Sequence, residues 1–575
     1  MSQHASEPGA RAQAMTPSGF TAKVQSGDVL HLWQKPVSAT GQASVRVRSR
    51  AGTVTTVAAP ASDDFQLTPY VVVDTGELAL DWDASDTLVS LCYAYTPARV
   101  VDEGIRVLWA REESRANANR FLTHLAPAFG WMNDPNGMIE IGGRLHAFYQ
   151  HYPHARHWDT MHWGHAVSEN LVDWRHLPVF LHPAATMLAD RSKSGGAFSG
   201  SAIARAEGGL RIFHTDREDG REPEQEWQMT AVSADLVSTG SSTSVIATRP
   251  PIPGFGRDLR DPYVFQGPDG LWKMALGGAD ETAALVLLYE SDDPAAATGW
   301  RFVGVLHREP LERPVPAECP CLIALDGEGD GLFVLIFGLI SHRSLVKNRR
   351  NPSLVLVGRF DGKHFKEIAR RELDFIGDCY AFQVFAYGSR PVGIGWAANW
   401  ADVHRGRDFA SSMTFPRRLV WRSGILSTPP IEALSELRAE RLTDSVDAFL
   451  HGFDLPSGLA EVAVTFASGR RPFRITLSHP AGPLTLAYDG SILEFSDGQP
   501  SPRSRAPRTL ADVGQLEQVV IFIDVGLIEV YVNGGEWCGT KRIDSDEPIA
   551  AVRVESSPDA LTAVEIWRLR PRLGV

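Results

Sequence analysis

Three short stretches carry carboxylates among residue types suited to sugar chemistry: WMNDPNG around Asp134, RDPYVF around Asp261 and AECPC around Glu318. Cleaving a glycosidic bond takes one carboxylic acid to protonate the leaving oxygen and a second carboxylate on the other side of the anomeric carbon. In a retaining hydrolase the two stand about 5–5.5 Å apart and the second is the nucleophile. Their closeness also splits their proton affinities, so that one is ionised while the other holds a proton. Each stretch has a plainer reading. NDPNG and RDP are ordinary turn sequences, and ECP is compatible with an edge-strand glutamate beside a buried cysteine. Asp261 and Glu318 follow Asp134 by 127 and 184 residues, so only a particular fold brings the three together.

A repeat supplies such a fold. Five times between about residues 131 and 427 a polar motif opens an apolar strand, followed by a Gly-rich turn and another strand. The openings are NDPNGMIEI at Asp134, FSGSAIA at Ser199, RDPYVF at Asp261, ECPCLIAL at Glu318 and DCYAFQVF at Tyr380, spaced by 65, 62, 57 and 62 residues. A period near 60 fits a four-stranded propeller blade. The first strand of every blade lines the central axis, so five equivalent openings converge on one funnel. The expectation is an all-β chain: a five-bladed β-propeller with a C-terminal β-sandwich and an additional small N-terminal β-rich domain.

The flanks supply the remaining boundaries. Residues 1–18 read as disordered. Residues 19–102 alternate in short segments such as VLHLWQ and ASVRVRS, which predicts a β-rich domain with Arg46, Arg48 and Arg50 on a solvated face. Residues 103–122 carry a helical pattern and read as a connector. The propeller is expected over 123–427, a linker with a short helix over 428–446, and the sandwich over 447–575.

Composition excludes several classes. A formal charge of −13 and a pI near 5.8 argue against nucleic acid and against an anionic membrane surface as partners. No apolar run approaches a signal peptide or a membrane span. Five scattered cysteines suit a reduced compartment, and the chain is expected to be cytoplasmic and complete as written. CPC lacks the spacing of a zinc pair, and His162 and His165 read as structural residues beside the pocket. No metal is expected, and no cofactor, since no phosphate loop or dinucleotide fingerprint occurs in a suitable context.

Taken in order, WMNDPNG, AFYQHYP, HWDTMHWGHA, FSGSA, RDPYVF, ECP, GWAANW and MTFPRRL resemble the family 32 glycoside hydrolases, which include invertases, sucrose-6-phosphate hydrolases, levanases and inulinases. The resemblance spans roughly 120–575 and is strongest to the bacterial intracellular sucrose hydrolases. It implies a five-bladed propeller with an appended sandwich. It further implies Asp134 as nucleophile, Glu318 as acid and then base, and Asp261 as the group that holds fructose hydroxyls and stabilises an oxocarbenium-like transition state. Arg260 would help hold the acid/base. Asn133, Gln150, Trp158, Phe198 and Ser199, with Trp131, would surround the fructose, and Asp378, Tyr380 and Trp396 would form the pocket wall.

The implied activity is that of a retaining β-fructofuranosidase, with sucrose or a short β-fructoside as its small-molecule partner. A fructosyltransferase, a levan or inulin hydrolase, an inverting hydrolase and a catalytically silent fructoside-binding propeller are the alternatives. A homo-oligomer is compatible with the two flanking β-rich regions. Departures from the family pattern are Asp159 and Thr160 beside Trp158, Ala317 and Cys321 around ECP, and Arg418 where glutamate is usual.

Overall fold

A computed structural model describes residues 19–38, 40–111, 121–190, 192–296, 298–326, 329–344, 349–400, 403, 406, 408–498, 508–543, 545 and 547–573. The disorder expected over 1–18 lies outside them. The described residues are overwhelmingly strand, as the alternation predicts. The chain divides into two compact units, Met1–Ala98 with Arg106–Ala116, and Arg99–Ile105 with Asn117–Val575.

The first unit consists of two four-stranded antiparallel sheets. Alternating residues of their strands, among them Leu30, Leu32, Val45, Val47, Leu80 and Val89, form one buried core, as a period of two requires. Arg46 and Arg48 stay outside, paired with Asp81. The helix expected over 103–122 is corrected at its start. Only Val100–Glu103 is helical, and Arg106–Ala110 is a strand paired with Leu91–Ala94. The open edge of that neighbouring strand satisfies the backbone of RVLWA, while Trp109 packs on Phe20 and Trp82. Tertiary pairing outweighs the helical pattern here; residues 112–120 lie outside the described set.

In the second unit five consecutive antiparallel sheets begin with strands β1 (Gly130–Ile141), β2 (Gly195–Ala204), β3 (Leu259–Gln266), β4 (Ala317–Ala324) and β5 (Tyr380–Tyr387). These opening strands pack side by side in sequence, and β5 packs against β1, so they form a closed ring. Phe409–Ala410 adds a parallel pairing to β1, joining the end of the repeat to its beginning. Beyond it two six-stranded sheets enclose a second large core that includes Val462, Ile475, Val519, Ile521, Val530 and Ile566.

The segment 428–446 is more than a linker. Glu432–Leu437 is a 3-10 helix, but Arg438–Thr443 is an edge strand paired with Leu561–Leu569, so the C-terminal sheets begin before residue 447. A buried polar cluster ties these sheets to the repeat. Asp524 accepts hydrogen bonds from the backbone N–H groups of Leu122, Thr123 and His124 and from the Thr123 hydroxyl, and its Oδ2 lies 2.8 Å from His124 Nδ1. Glu529 engages both His124 and Arg417. Burial works against these charges, but mutual pairing outweighs it: His124 is held above its usual range and Asp524 and Glu529 are drawn down to about 2.

Candidate active site

NDPNG is not a turn. It lies inside β1, and a β-bulge accounts for its turn-forming residues. Between Met132 and Pro135 the strand advances three residues while its partner advances two, from His151 to Tyr149. The same extra residue occurs at Ala197–Gly200, Arg260–Tyr263, Glu318–Cys321 and Tyr380–Gln383. Asp261, Cys319 and Ala381 take positive φ values of 62°, 49° and 49° in three of these bulges, a conformation that costs non-glycine residues energy and recurs at functional sites. A bulge kinks its strand and re-aims the side chains beside it. Repeated around one ring, it brings Asp134, Ser199, Asp261 and Glu318 to one cavity.

The result is a cavity of about 300 Å3 lined by Asn133, Asp134, Gln150, Trp158, Phe198, Ser199, Arg260, Asp261 and Glu318, with Ser194, Arg217, Asp219, Ile340 and Trp400. Asp134 accepts hydrogen bonds from Asn133 Nδ2 at 3.0 Å, Ser199 Oγ at 2.8 Å and Cys319 Sγ at 3.6 Å. Asn133 is itself aimed by Trp131, whose indole N–H donates to its Oδ1 at 2.7 Å. The Cys319 N–H donates to Asp261 Oδ2 at 2.8 Å. Glu318 accepts from Arg260 Nη1 and from the Tyr380 hydroxyl, each at 2.9 Å. All three carboxylates therefore meet at one dipeptide, Glu318–Cys319.

Burial raises all three carboxyls above their usual range. Donors from Asn133, Ser199 and Cys319 work against burial at Asp134. Glu318 and Asp261 are pushed up by burial and by neighbouring negative charge, against the pull of Arg260. Asp134 accepts from three side-chain donors, and each favours the anion, so it is the group best prepared to be ionised. Glu318 and Asp261 are pushed up to about 7 and about 8, so both hold a proton to higher pH. One ionised and one protonated carboxyl in a cavity of monosaccharide size is the constellation that acid-assisted glycoside cleavage requires.

Other residues singled out in the sequence hold different places. Trp131 and Trp396 are buried behind the wall with ring centroids 6.0 Å apart, and Tyr380 reaches the site only through Glu318. Asp378 does not line the cavity: its Oδ2 accepts the Arg542 N–H at 3.0 Å and faces Lys541 of the C-terminal sheets, while its Oδ1 accepts from Asn399 Nδ2. Ala317 and Cys321 are fully buried, the Cys321 thiol sits in a core with Ile336 and Phe382, and neither residue lines the cavity. His162 and His165 are also buried, and burial pushes both well below the ordinary histidine range. Arg418 pairs with the exposed Glu432. Among the described residues no group of three His, Cys, Asp or Glu side chains is disposed to hold a metal.

Sequence reasoning missed Trp400, although it ends the quoted GWAANW. It also missed Ser194, Arg217, Asp219 and Ile340, which sit in segments without a repeated motif. Arg217 stands against the Phe198 ring and pairs with Asp219 at 2.8 Å. No spacing rule links it to the openings.

Comparison with known proteins agrees with the geometry. The family description "Glycosyl hydrolases family 32 N-terminal domain" matches residues 124–430. The chain is 28% identical over 456 residues to a sucrose-6-phosphate hydrolase of Escherichia coli, covering 75% of this chain and 90% of the relative. It is 30% identical over 481 residues to a raffinose invertase of the same species, covering 79% and 96%. A family 32 glycoside hydrolase structure from Bifidobacterium adolescentis superposes with a TM-score of 0.85 at 23% identity, covering 96% of this chain and all of the other.

Proposed function

The chain belongs to glycosyl hydrolase family 32, and from that premise we propose that it is a retaining β-fructofuranosidase releasing terminal fructose from sucrose or a short β-fructoside. One observation carries the mechanism. Asp134, Asp261 and Glu318 converge on the Glu318–Cys319 dipeptide within one cavity, which supports a nucleophile and an acid/base acting on one bound fructosyl group. Asp134 attacks the anomeric carbon and forms a fructosyl-enzyme while Glu318 protonates the departing oxygen. Glu318 then removes a proton from water, whose oxygen attacks the same carbon and regenerates Asp134. Asp261 holds fructose hydroxyls. Trp158, Phe198 and Trp400 offer apolar faces for the sugar's C–H groups.

The closed ring of five opening strands supports the five-bladed propeller reading, and the paired six-stranded sheets support the sandwich. The compact first unit supports a separate N-terminal β domain. No described helix is long and apolar enough to cross a membrane. A cytoplasmic location is part of the proposal, supported by five cysteines that are all free and buried.

The test is to incubate purified protein with sucrose, sucrose-6-phosphate, short fructo-oligosaccharides, levan and inulin and to identify the products. Release of β-fructose from a short substrate, seen by NMR before mutarotation, is the expected result. An α-anomer as first product would overturn the retaining mechanism, and sugar binding without cleavage would overturn the enzyme assignment. Transfer products at high sucrose would instead favour a fructosyltransferase. Asp134→Asn is expected to abolish release while leaving the fold intact. Retention of more than a few per cent of turnover would remove Asp134 as nucleophile.

A further inference from the structure

We propose that Glu226 is a positioning residue for the acid/base: it anchors Arg260 on the edge away from Glu318 and withholds part of the guanidinium's charge from that carboxyl. The inference rests on the assignment of Glu318 as acid/base made above. Glu226 opens the strand Glu226–Ser233 and has no place in the repeat motifs. Its side chain is 1% exposed. Three donors fix it there: Arg217 Nη1 at 2.7 Å and Arg260 Nη2 at 3.0 Å, both on Oε1, and the Leu259 N–H at 2.6 Å on Oε2.

Arg260 is consequently a bridge. Its Nη2 is shared by Glu226 and Asp258, while Nη1 alone reaches Glu318. A buried charge is tolerated only when paired, and Glu226 supplies the pairing that keeps the guanidinium in the wall through both half-reactions. The arrangement matters because Glu318 has two tasks. A guanidinium given wholly to Glu318 would hold it ionised and spoil it as an acid, whereas no guanidinium would weaken it as a base. Glu226 and Asp258 draw off part of that charge. The other groups facing Glu318 are Asp134 from β1, Asp261 from β3 and Tyr380 from β5; Glu226 faces Arg217 and Arg260.

Glu226→Gln keeps the side chain's shape and one acceptor but removes its charge. The expected result in the full-length protein is that the alkaline limb of kcat/KM for sucrose moves to lower pH by about half a unit or more. Activity at pH 7 should fall more on sucrose than on 4-nitrophenyl β-D-fructofuranoside, whose leaving group needs little protonation. Asp258→Asn, at a side chain 33% exposed, should shift the limb in the same direction by less. A folded Glu226→Gln protein with an unmoved limb, or with equal losses on both substrates, would overturn the proposal. If Glu226→Gln does not fold, Glu226→Asp decides: it keeps the charge but draws it back from Arg260 Nη2, so the limb should again move to lower pH, and an unmoved limb would overturn the proposal. Glu318→Gln serves as the control. Should its kcat/KM fall as much on the nitrophenyl substrate as on sucrose, the acid/base assignment itself fails.

Discussion

Replacing Tyr380 with phenylalanine removes one oxygen from the candidate active site and leaves the ring packing in place. Its hydroxyl donates to Glu318 Oε2 at 2.9 Å, with Tyr380 1% and Glu318 8% exposed. A hydrogen bond to a charged group contributes about 1.5–3 kcal/mol. Water entering the cavity would recover part of it, so about 1.4 kcal/mol is a sober figure, equal to one pH unit. The bond favours the ionised carboxylate, so losing it raises the proton affinity of Glu318. The acid form then persists to higher pH, and the alkaline limb of kcat/KM for sucrose should move up by about one unit. The opposite loss should appear when Glu318 acts as base. At pH values below the new pKa, turnover should fall by up to about tenfold where attack by water limits the rate. The assay is initial-rate glucose release between pH 4 and 9, with circular dichroism to confirm folding. The direction is the opposite of that expected for Glu226→Gln. A limb that stays fixed or moves down in folded Tyr380→Phe would refute the view that this hydroxyl stabilises the Glu318 anion.

Ser199→Ala removes a donor to Asp134, so kcat/KM should fall about tenfold or more and its acid limb should rise, both read from the pH profile. An unchanged acid limb would mean the hydroxyl does not set the ionisation of Asp134. Asp524→Asn leaves His124 and Glu529 poorly matched in a buried cluster, with an expected cost of about 3–5 kcal/mol by chemical denaturation; a loss under 1 kcal/mol would show that the cluster tolerates the change. Burial pushes His146, His151 and His214 down to about 4. The unfolded chain therefore binds protons between pH 6.5 and 4 that the folded protein refuses. The stability from these groups is complete above pH 6.5 and is lost as pH falls, by about 1.4 kcal/mol per group per unit at most. Raised groups such as Asp261, Glu318 and His124 act with the opposite sign over the same window, so the check is a difference. From pH 7 to 5 a His151→Asn variant should lose less stability than the unsubstituted protein, and parallel melting profiles would contradict this reading.

Much of the site was legible because chemistry and repetition coincide. Asp134, Ser199, Asp261, Glu318 and Tyr380 open units of similar length, and the motifs around them state which side chains face one axis. Periodicity does not report edges that other strands complete. Arg106–Ala110 carried a helical pattern, yet the open edge at Leu91–Ala94 drew it into a sheet. Arg438–Thr443 was read as linker because its partner, Leu561–Leu569, comes more than a hundred residues later. Asp378 lies two residues before Tyr380, but one of its oxygens is taken by the C-terminal sheets and the other by Asn399.

The sequence by itself determined which residues could perform the chemistry and that they recur at a blade-like interval, since side-chain type and strand alternation are local properties. The tertiary structure decided how those residues meet. A bulge is a mismatch between two strands and cannot be read from either one, so NDPNG looked like a turn until its pairing with His146–His151 was known. The proton affinities belong to the assembly as well. They depend on burial and on partners such as Arg260, Tyr380 and Asp134, which the chain brings to Glu318 from as far as 184 residues away in sequence.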